Sequence, residues 1–161
     1  MGVIKHGFEP VFDENSRLLI LGSFPSVKSR QTEFYYGNKQ NRFWGVVCGF
    51  FGEQIPTDNA GKKEFLLRRK IAVWDVVSEC EIVGSQDSTI TDFKVADIKK
   101  LLQNSQISFI ILNGSKACEI FTKYFSDVST PYEKLPSTSP ANTRFSKEIW
   151  YAALSRIFDR T

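Results

Sequence analysis

Three apolar runs punctuate the chain at intervals that leave room for helices between them. RLLILGSF (17 to 24), IAVWDVV (71 to 77) and ISFIILNG (107 to 114) are nearly continuous in apolar residues, the pattern of strands buried on both faces. A weaker stretch, PYEKLPSTSP (131 to 140), has prolines that suggest a short strand opening into a loop. Between these runs the spacing changes to that of helices. NRFWGVVCGFFG (41 to 52) sets apolar residues at 43, 44, 47, 50 and 51, with Gly52 as a stop. KKEFLLRRK (62 to 70), ADIKKLLQNSQ (96 to 106), SKACEIFTKYF (115 to 125) and SKEIWYAALSRIF (146 to 158) follow the same logic, with Ser115 and Ser146 as caps of the last two.

Strands alternating with helices imply right-handed crossovers, and the expected fold is an α/β three-layer α/β/α sandwich around a central, mostly parallel four-stranded sheet. At 161 residues the chain suits one domain, 1–161. Sites in such sheets lie outside the carboxyl ends of the strands. That rule singles out the loops Gly22 to Asn41, Asp75 to Thr91, Asn113 to Lys116 and Pro136 to Phe145.

Composition narrows the chemistry. Aromatic residues make up 14% of the chain, and they crowd into FYYGNKQNRFW (34 to 44). Residues 17 to 70 carry ten Lys/Arg against four Asp/Glu, whereas 71 to 161 carry ten against eleven. A cationic half with exposed rings suits an anionic polymer of stacked bases. Cysteines at 48, 80 and 118 form no CxxC motif and are odd in number, so reduced, mostly buried thiols are expected. The one histidine, His6, lies in the N-terminal tail, which argues against a Ser-His-Asp triad or a His-rich zinc site. No apolar run approaches a membrane span or a signal h-region, so a cytoplasmic protein is expected.

Each candidate motif has a plain structural reading beside the functional one. GSFPSVKSR after the first strand is either a tight turn or a phosphate cradle, and it matches neither GxGxxG, GxxxxGK[ST] nor GxSxG. Tyr35 and Tyr36 lie in a polar loop, where stacking on a flat group is more natural than deep burial. Phe43 and Trp44 read as core, and Asn41 as a helix N-cap, a catalytic amide, or both. Asp75 ends an apolar strand, where a carboxylate is either paired or aimed at a ligand N–H; Asp87 could be a turn residue. LPSTSPANTRFSK (135 to 147) is a proline-rich turn or a phosphate-gripping loop with an apolar wedge.

In order along the chain, LLILGSFPS, YYGNKQNRFW, WDVVSECEIVGSQDS, IILNGSKA and LPSTSPAN together resemble the uracil-DNA glycosylase superfamily, most closely its hypoxanthine-DNA (deoxyinosine) glycosylase branch. The resemblance spans roughly residues 17 to 145. Mismatch-specific uracil glycosylases have a similar aromatic-x-x-x-x-Asn-Arg-Phe-Trp stretch, whose aromatic stacks on the extruded base; that role falls on Tyr36. The superfamily's first motif usually has Asp or Asn two residues after its Gly to position the hydrolytic water, but Phe24 stands there. The hypoxanthine branch similarly lacks that group and relies on an asparagine just downstream, matched by Asn41 with Asn38 as fallback. Leu135-Pro136-Ser137 replaces the usual His-Pro-Ser, and three scattered cysteines cannot supply an iron-sulfur cluster.

The resemblance implies hydrolysis of the N-glycosidic bond of a deaminated base flipped from DNA, with hypoxanthine the expected base. Phe24, Tyr36, Asp75 and Asn113 fall in the base-binding set, and Ser23, Ser26, Ser137, Ser139, Asn142, Arg144 and Phe145 in the DNA-binding set. With no lysine in a matched catalytic position, a monofunctional enzyme is expected. Neither metal nor cofactor is called for. The expected partner is double- or single-stranded DNA, with no membrane, and the expected state a monomer in the cytoplasm, at the nucleoid in a prokaryote. The alternatives are a uracil or G·T/U mismatch glycosylase, a non-catalytic damaged-DNA-binding module, and a binder of a small phosphorylated ligand.

Overall fold

The computed structural model describes residues 2–158. Following the chain, β1 is Ile4–Lys5, β2 Leu18–Gly22, α1 Val27–Thr32, α2 Phe43–Phe50, α3 Asn59–Arg68, β3 Ile71–Asp75, β4 Val77–Glu81, β5 Thr91–Val95, α4 Ile98–Gln103, β6 Phe109–Asn113, α5 Ser115–Tyr124, β7 Tyr132–Leu135 and α6 Lys147–Ile157. The main sheet runs β3-β2-β6-β7, and every neighbouring pair is parallel. Side-chain alternation sorts this sheet into two cores. Leu18 and Ile20 pack with Phe43, Val47, Phe65, Leu66, Trp150 and Leu154, so α2, α3 and α6 cover one face. Leu19 and Leu21 pack with Ile98, Leu101, Ile120 and Phe121, so α4 and α5 cover the other. The expected three-layer α/β sandwich is the fold found.

All four residues from Leu18 to Leu21 are fully buried. Each such side chain contributes roughly 1.5 to 3 kcal/mol of apolar transfer. More important for function is the register. Gly22 lies beside Asp75 and Leu21 beside Leu112, while Asn113 lies beside Leu135. Asp75, Gly22 and Asn113 therefore end three adjacent strands in one row, and the chain must turn there.

Three expectations need correction. The apolar run 71 to 77 is not one strand: β3 ends at Asp75, and the chain then leaves the main sheet. β4 pairs antiparallel with β1 and with β5 in a second, three-stranded sheet, where a loop from Asp75 to Thr91 was expected. The register shifts along β4 and β5 break the two-residue alternation that would have marked the strand. The loop Gly22 to Asn41 likewise contains α1. Ser115 does not cap α5: the cap position is Gly114 at φ 98°, where a Cβ would come within 3.0 Å of Ser137 Cβ. Ser146 does cap α6, its Oγ accepting from Ile149 N–H at 3.3 Å.

Candidate active site

The row at the strand ends gathers its polar groups around a bare Cα. A Cβ on Gly22 would lie 2.5 Å from Asp75 Oδ1 and 3.2 Å from the Tyr36 hydroxyl. Glycine is thus required here because a carboxylate and a phenol both converge on the strand end. Asp75 is 4% exposed, and its Oδ2 accepts from His6 Nε2 at 2.8 Å. His6 is itself buried among Phe8, Phe24 and Tyr35, and its Nδ1 has no hydrogen-bond partner among the described residues.

The lone histidine therefore belongs to the site. What carries it there is β1: Ile4 lies opposite Cys80 and Lys5 opposite Glu79, and His6 N–H donates to the Ser78 carbonyl. The two-residue strand IK has no periodicity to read, so local pattern could not reveal this. A buried carboxylate at a strand end is costly to leave unpaired, and that rule was the available signal that Asp75 needs a partner.

Tyr36 holds a left-handed backbone at φ 54°, and its ring stacks on Phe43 with centroids 4.0 Å apart and 14° between planes. Its hydroxyl accepts from Asn113 Nδ2 at 3.2 Å. Burial, then the negative charge of Asp75, push the Tyr36 hydroxyl well above its ordinary range, so it is a neutral phenol with an O–H to give. Asn113 is held from both ends, donating also to Thr138 Oγ1 at 3.0 Å and accepting from Thr138 N–H at 3.0 Å. Tyr35, by contrast, is 2% exposed and donates to the Glu9 carbonyl, against the expectation of a stacking surface. Phe24 is buried in the second core beneath Arg30 and meets the His6 ring at 87°, so it presents no open stacking face.

Asn41 stands two residues before α2. The N-cap position is Arg42, with no side-chain cap, so the N-cap expectation for Asn41 is corrected; its Oδ1 instead accepts from Phe43 N–H at 2.9 Å, a turn that leads into the helix. That leaves the carboxamide NH₂ as the end without a partner among the described residues, which is compatible with catalysis. Asn38 Oδ1 accepts from Gln40 N–H, and its carbonyl accepts from Asn41 N–H, so Asn38 shapes the turn that delivers Asn41. Phe43 and Trp44 are buried, as expected. Arg42, which the motif reading passed over, ties this segment to the fourth loop: its guanidinium donates to the carbonyls of Ser139 and Asn142 and lies 5.0 Å over the Phe145 ring.

The candidate phosphate contacts divide by what their atoms already do. Ser23 is buried and donates to Asp87 at 2.6 Å, and Ser26 caps α1 and donates to Ser29, so neither hydroxyl is turned outward. Ser137 and Ser139 accept from Ser139 N–H and Ala141 N–H, which uses lone pairs and leaves both O–H groups to donate. Asn142 accepts from Arg144 N–H and donates to the Ser137 carbonyl. Arg144 is exposed at the tip, while Phe145 is half-buried under Arg42. Burial pushes the Cys80 thiol up to about 11, which keeps it protonated near neutral pH.

Comparison with known proteins agrees with this arrangement. A model of the uracil DNA glycosylase superfamily matches residues 9–155. A protein of Methanosarcina acetivorans named hypoxanthine DNA glycosylase is 40% identical over 148 residues, 90% of this chain and 92% of that one. Its namesake in Methanosarcina barkeri is 33% identical over 157 residues, 94% and 99% of the respective chains. The solution NMR structure of a candidate uracil DNA glycosylase from Methanosarcina acetivorans superposes with a TM-score of 0.83 at 35% identity, covering 97% of this chain and 99% of that one. Fold, ordered motifs and full-length similarity together show that the chain belongs to the uracil DNA glycosylase superfamily.

Proposed function

We propose that the protein is a monofunctional DNA glycosylase that releases hypoxanthine from deoxyinosine in DNA, acting as a cytoplasmic monomer. The observation that carries this reading is the pairing at Gly22 of a hydrogen-bond acceptor, Asp75 Oδ1, with a donor, the Tyr36 hydroxyl. Deamination of adenine turns an amino donor into a carbonyl and a ring acceptor into N1–H. A carboxylate beside a neutral phenol complements that new edge, and it opposes the parent base acceptor to acceptor. The names carried by the two similar Methanosarcina proteins support the same substrate.

In this reading the base leaves the duplex and lies against the face of Tyr36 that Phe43 does not cover. Asp75, oriented by His6, accepts from the ring N–H. The Asn41 NH₂ donates to the reacting groups, a contribution whose loss typically costs about 10²-fold or more. Ser137, Ser139 and Arg144 hold the flanking phosphates. Uracil presents a similar carbonyl and N–H edge, so the alternative substrate differs from hypoxanthine in size more than in hydrogen-bonding pattern.

The test uses end-labelled duplexes containing hypoxanthine, uracil or a G·T mismatch, incubated with the protein and then treated with alkali. Alkali-labile breaks at hypoxanthine alone are expected. Breaks at uracil or G·T instead identify the alternative enzyme, and binding with no break at any site identifies a non-catalytic recognition module.

A further inference from the structure

Water that attacks C1′ gives up a proton, and the amide of Asn41 cannot accept it. The carboxylate of Asp75 is occupied by His6 on one oxygen and turns the other to the strand end at Gly22, where the proposed base contact lies. A second carboxylate reaches the same strand ends from the loop between β4 and β5. Asp87 is exposed as a residue, yet its Oδ1 accepts from the hydroxyl of buried Ser23, one residue past Gly22, at 2.6 Å. No cation lies within ion-pair distance of it among the described residues, and Oδ2 has no hydrogen-bond partner among them.

This loop is held in place. Ser85 Oγ accepts from Val27 N–H at 2.9 Å, and the Gly84 carbonyl accepts from the Arg30 guanidinium at 2.8 Å, which pins the loop to the start of α1. Inside it, Thr89 Oγ1 accepts from Val83 N–H, and the Asp87 carbonyl accepts from Ile90 N–H. A turn residue of no further use has no need of a buried hydroxyl sixty-four positions away to orient its carboxylate. Phe24 occupies the neighbouring position with an apolar ring, so the first turn itself offers no other group to handle water.

We propose that Asp87, oriented by Ser23, is the catalytic residue that binds and deprotonates the hydrolytic water. The assignment rests on the glycosylase reading given above. As the bond from C1′ to the base nitrogen breaks, its electron pair leaves with hypoxanthine, which then takes a proton from solvent. The water oxygen bonds C1′, its proton passes to the Asp87 carboxylate and from there to bulk water, and the sugar becomes the abasic hemiacetal. Burial and the nearby charge of Asp75 raise the Asp87 carboxyl above its ordinary range, while Ser23 and the Lys116 ammonium pull the other way. The Tyr36 hydroxyl and the Cys80 thiol are near enough to feel its charge. A raised carboxyl suits a proton acceptor near neutral pH.

The test compares single-turnover release of hypoxanthine by wild type, Asp87→Asn and Ser23→Ala across pH 4.5 to 9. Binding to duplex carrying non-cleavable 2′-fluoro-deoxyinosine is measured in parallel. Wild type is expected to lose rate in acid with a midpoint above the ordinary carboxylate range. Asp87→Asn should fall about 10²-fold or more, bind the analogue within threefold and lose the acid limb. Ser23→Ala should move that midpoint upward, because it removes a donor to the charged form. Retention of rate within threefold by Asp87→Asn, persistence of the acid limb in it, or equal loss of binding and rate would each overturn the assignment alone. A wild type that releases no base from deoxyinosine would overturn the glycosylase reading, and this assignment with it.

Discussion

Substituting Gly22 by Ala perturbs the site by a single methyl group, and the structure sets the size of the effect. The new Cβ would lie 2.5 Å from Asp75 Oδ1, 3.7 Å from its Cγ and 3.2 Å from the Tyr36 hydroxyl. Comfortable carbon-to-oxygen contacts begin near 3.3 Å, so the carboxylate must retreat by roughly 1 Å. Asp75 cannot do so and keep its 2.8 Å bond to His6. Losing a hydrogen bond to a charged group costs about 1.5 to 3 kcal/mol, which in a chain of this size lowers Tm by roughly 3 to 12 °C. A 1 Å misplacement at the reacting centre costs about 10²-fold in rate. Melting is read by circular dichroism and activity as hypoxanthine release from deoxyinosine duplex. In an Asp75→Ala background the second substitution should add almost no stability cost. The reasoning is refuted if Gly22→Ala keeps Tm within 1 °C and rate within threefold, or if its stability cost is the same without the Asp75 side chain.

Three further outcomes are expected. Truncating His6→Ala strands a buried carboxylate, so stability should fall by about 3 to 5 kcal/mol, measured by urea denaturation. Hydrogen bonds from Arg68 and Arg69 hold the Glu53 carboxyl down to about 2. A depressed carboxyl stabilises the fold above its unfolded value and loses that contribution as pH falls from about 4.5 toward 2; Glu53→Gln should therefore be less stable than wild type at pH 7, with the two converging toward pH 2. Replacing Arg144→Ala should weaken DNA binding similarly across sequences and reduce the salt slope of binding by about one, seen by fluorescence anisotropy at several salt concentrations.

What the chain reveals by pattern alone is the part governed by period. Residues 18 to 21, 71 to 73 and 110 to 112 are buried on both faces, so the runs that hold them stay apolar and mark a parallel sheet, although the run 71 to 77 also carries the start of β4. From that sheet alone follows where Asp75, Asn113 and the loop around Asn41 meet. What pattern does not reveal is non-local pairing. β1 is two residues long, yet it delivers His6 to Asp75 across sixty-nine positions. Shifted register hides β4, and with β4 the fact that Asp87 returns to Ser23.

Charge counting names a class of partner without locating the surface that meets it. Of the cations between 17 and 70, Arg68 and Arg69 are paired with Glu53, and Arg17 and Lys70 sit at the amino ends of β2 and β3, away from the site. The aromatic segment 34 to 44 also divides by burial: Phe34, Tyr35, Phe43 and Trp44 build core, and Tyr36 alone turns its hydroxyl to the strand ends. Single residues of one type in one loop cannot be separated by composition, because the left-handed backbone at Tyr36 is what reverses its direction.

In the proposed mechanism Asn41 acts through its amide hydrogens, while its oxygen serves the turn into α2. Asn41→Asp separates the two, since the carboxylate still accepts from Phe43 N–H and suits a helix N-terminus. The decisive measurement is the single-turnover rate of hypoxanthine release by Asn41→Asp beside Asn38→Ala and wild type, with Tm recorded for each. Asn41→Asp is expected to melt at or above the wild-type temperature and to lose about 10²-fold or more in rate, with Asn38→Ala within tenfold of wild type. An Asn41→Asp protein that keeps its rate within threefold, or an Asn38→Ala protein that loses it at unchanged Tm, would contradict the account.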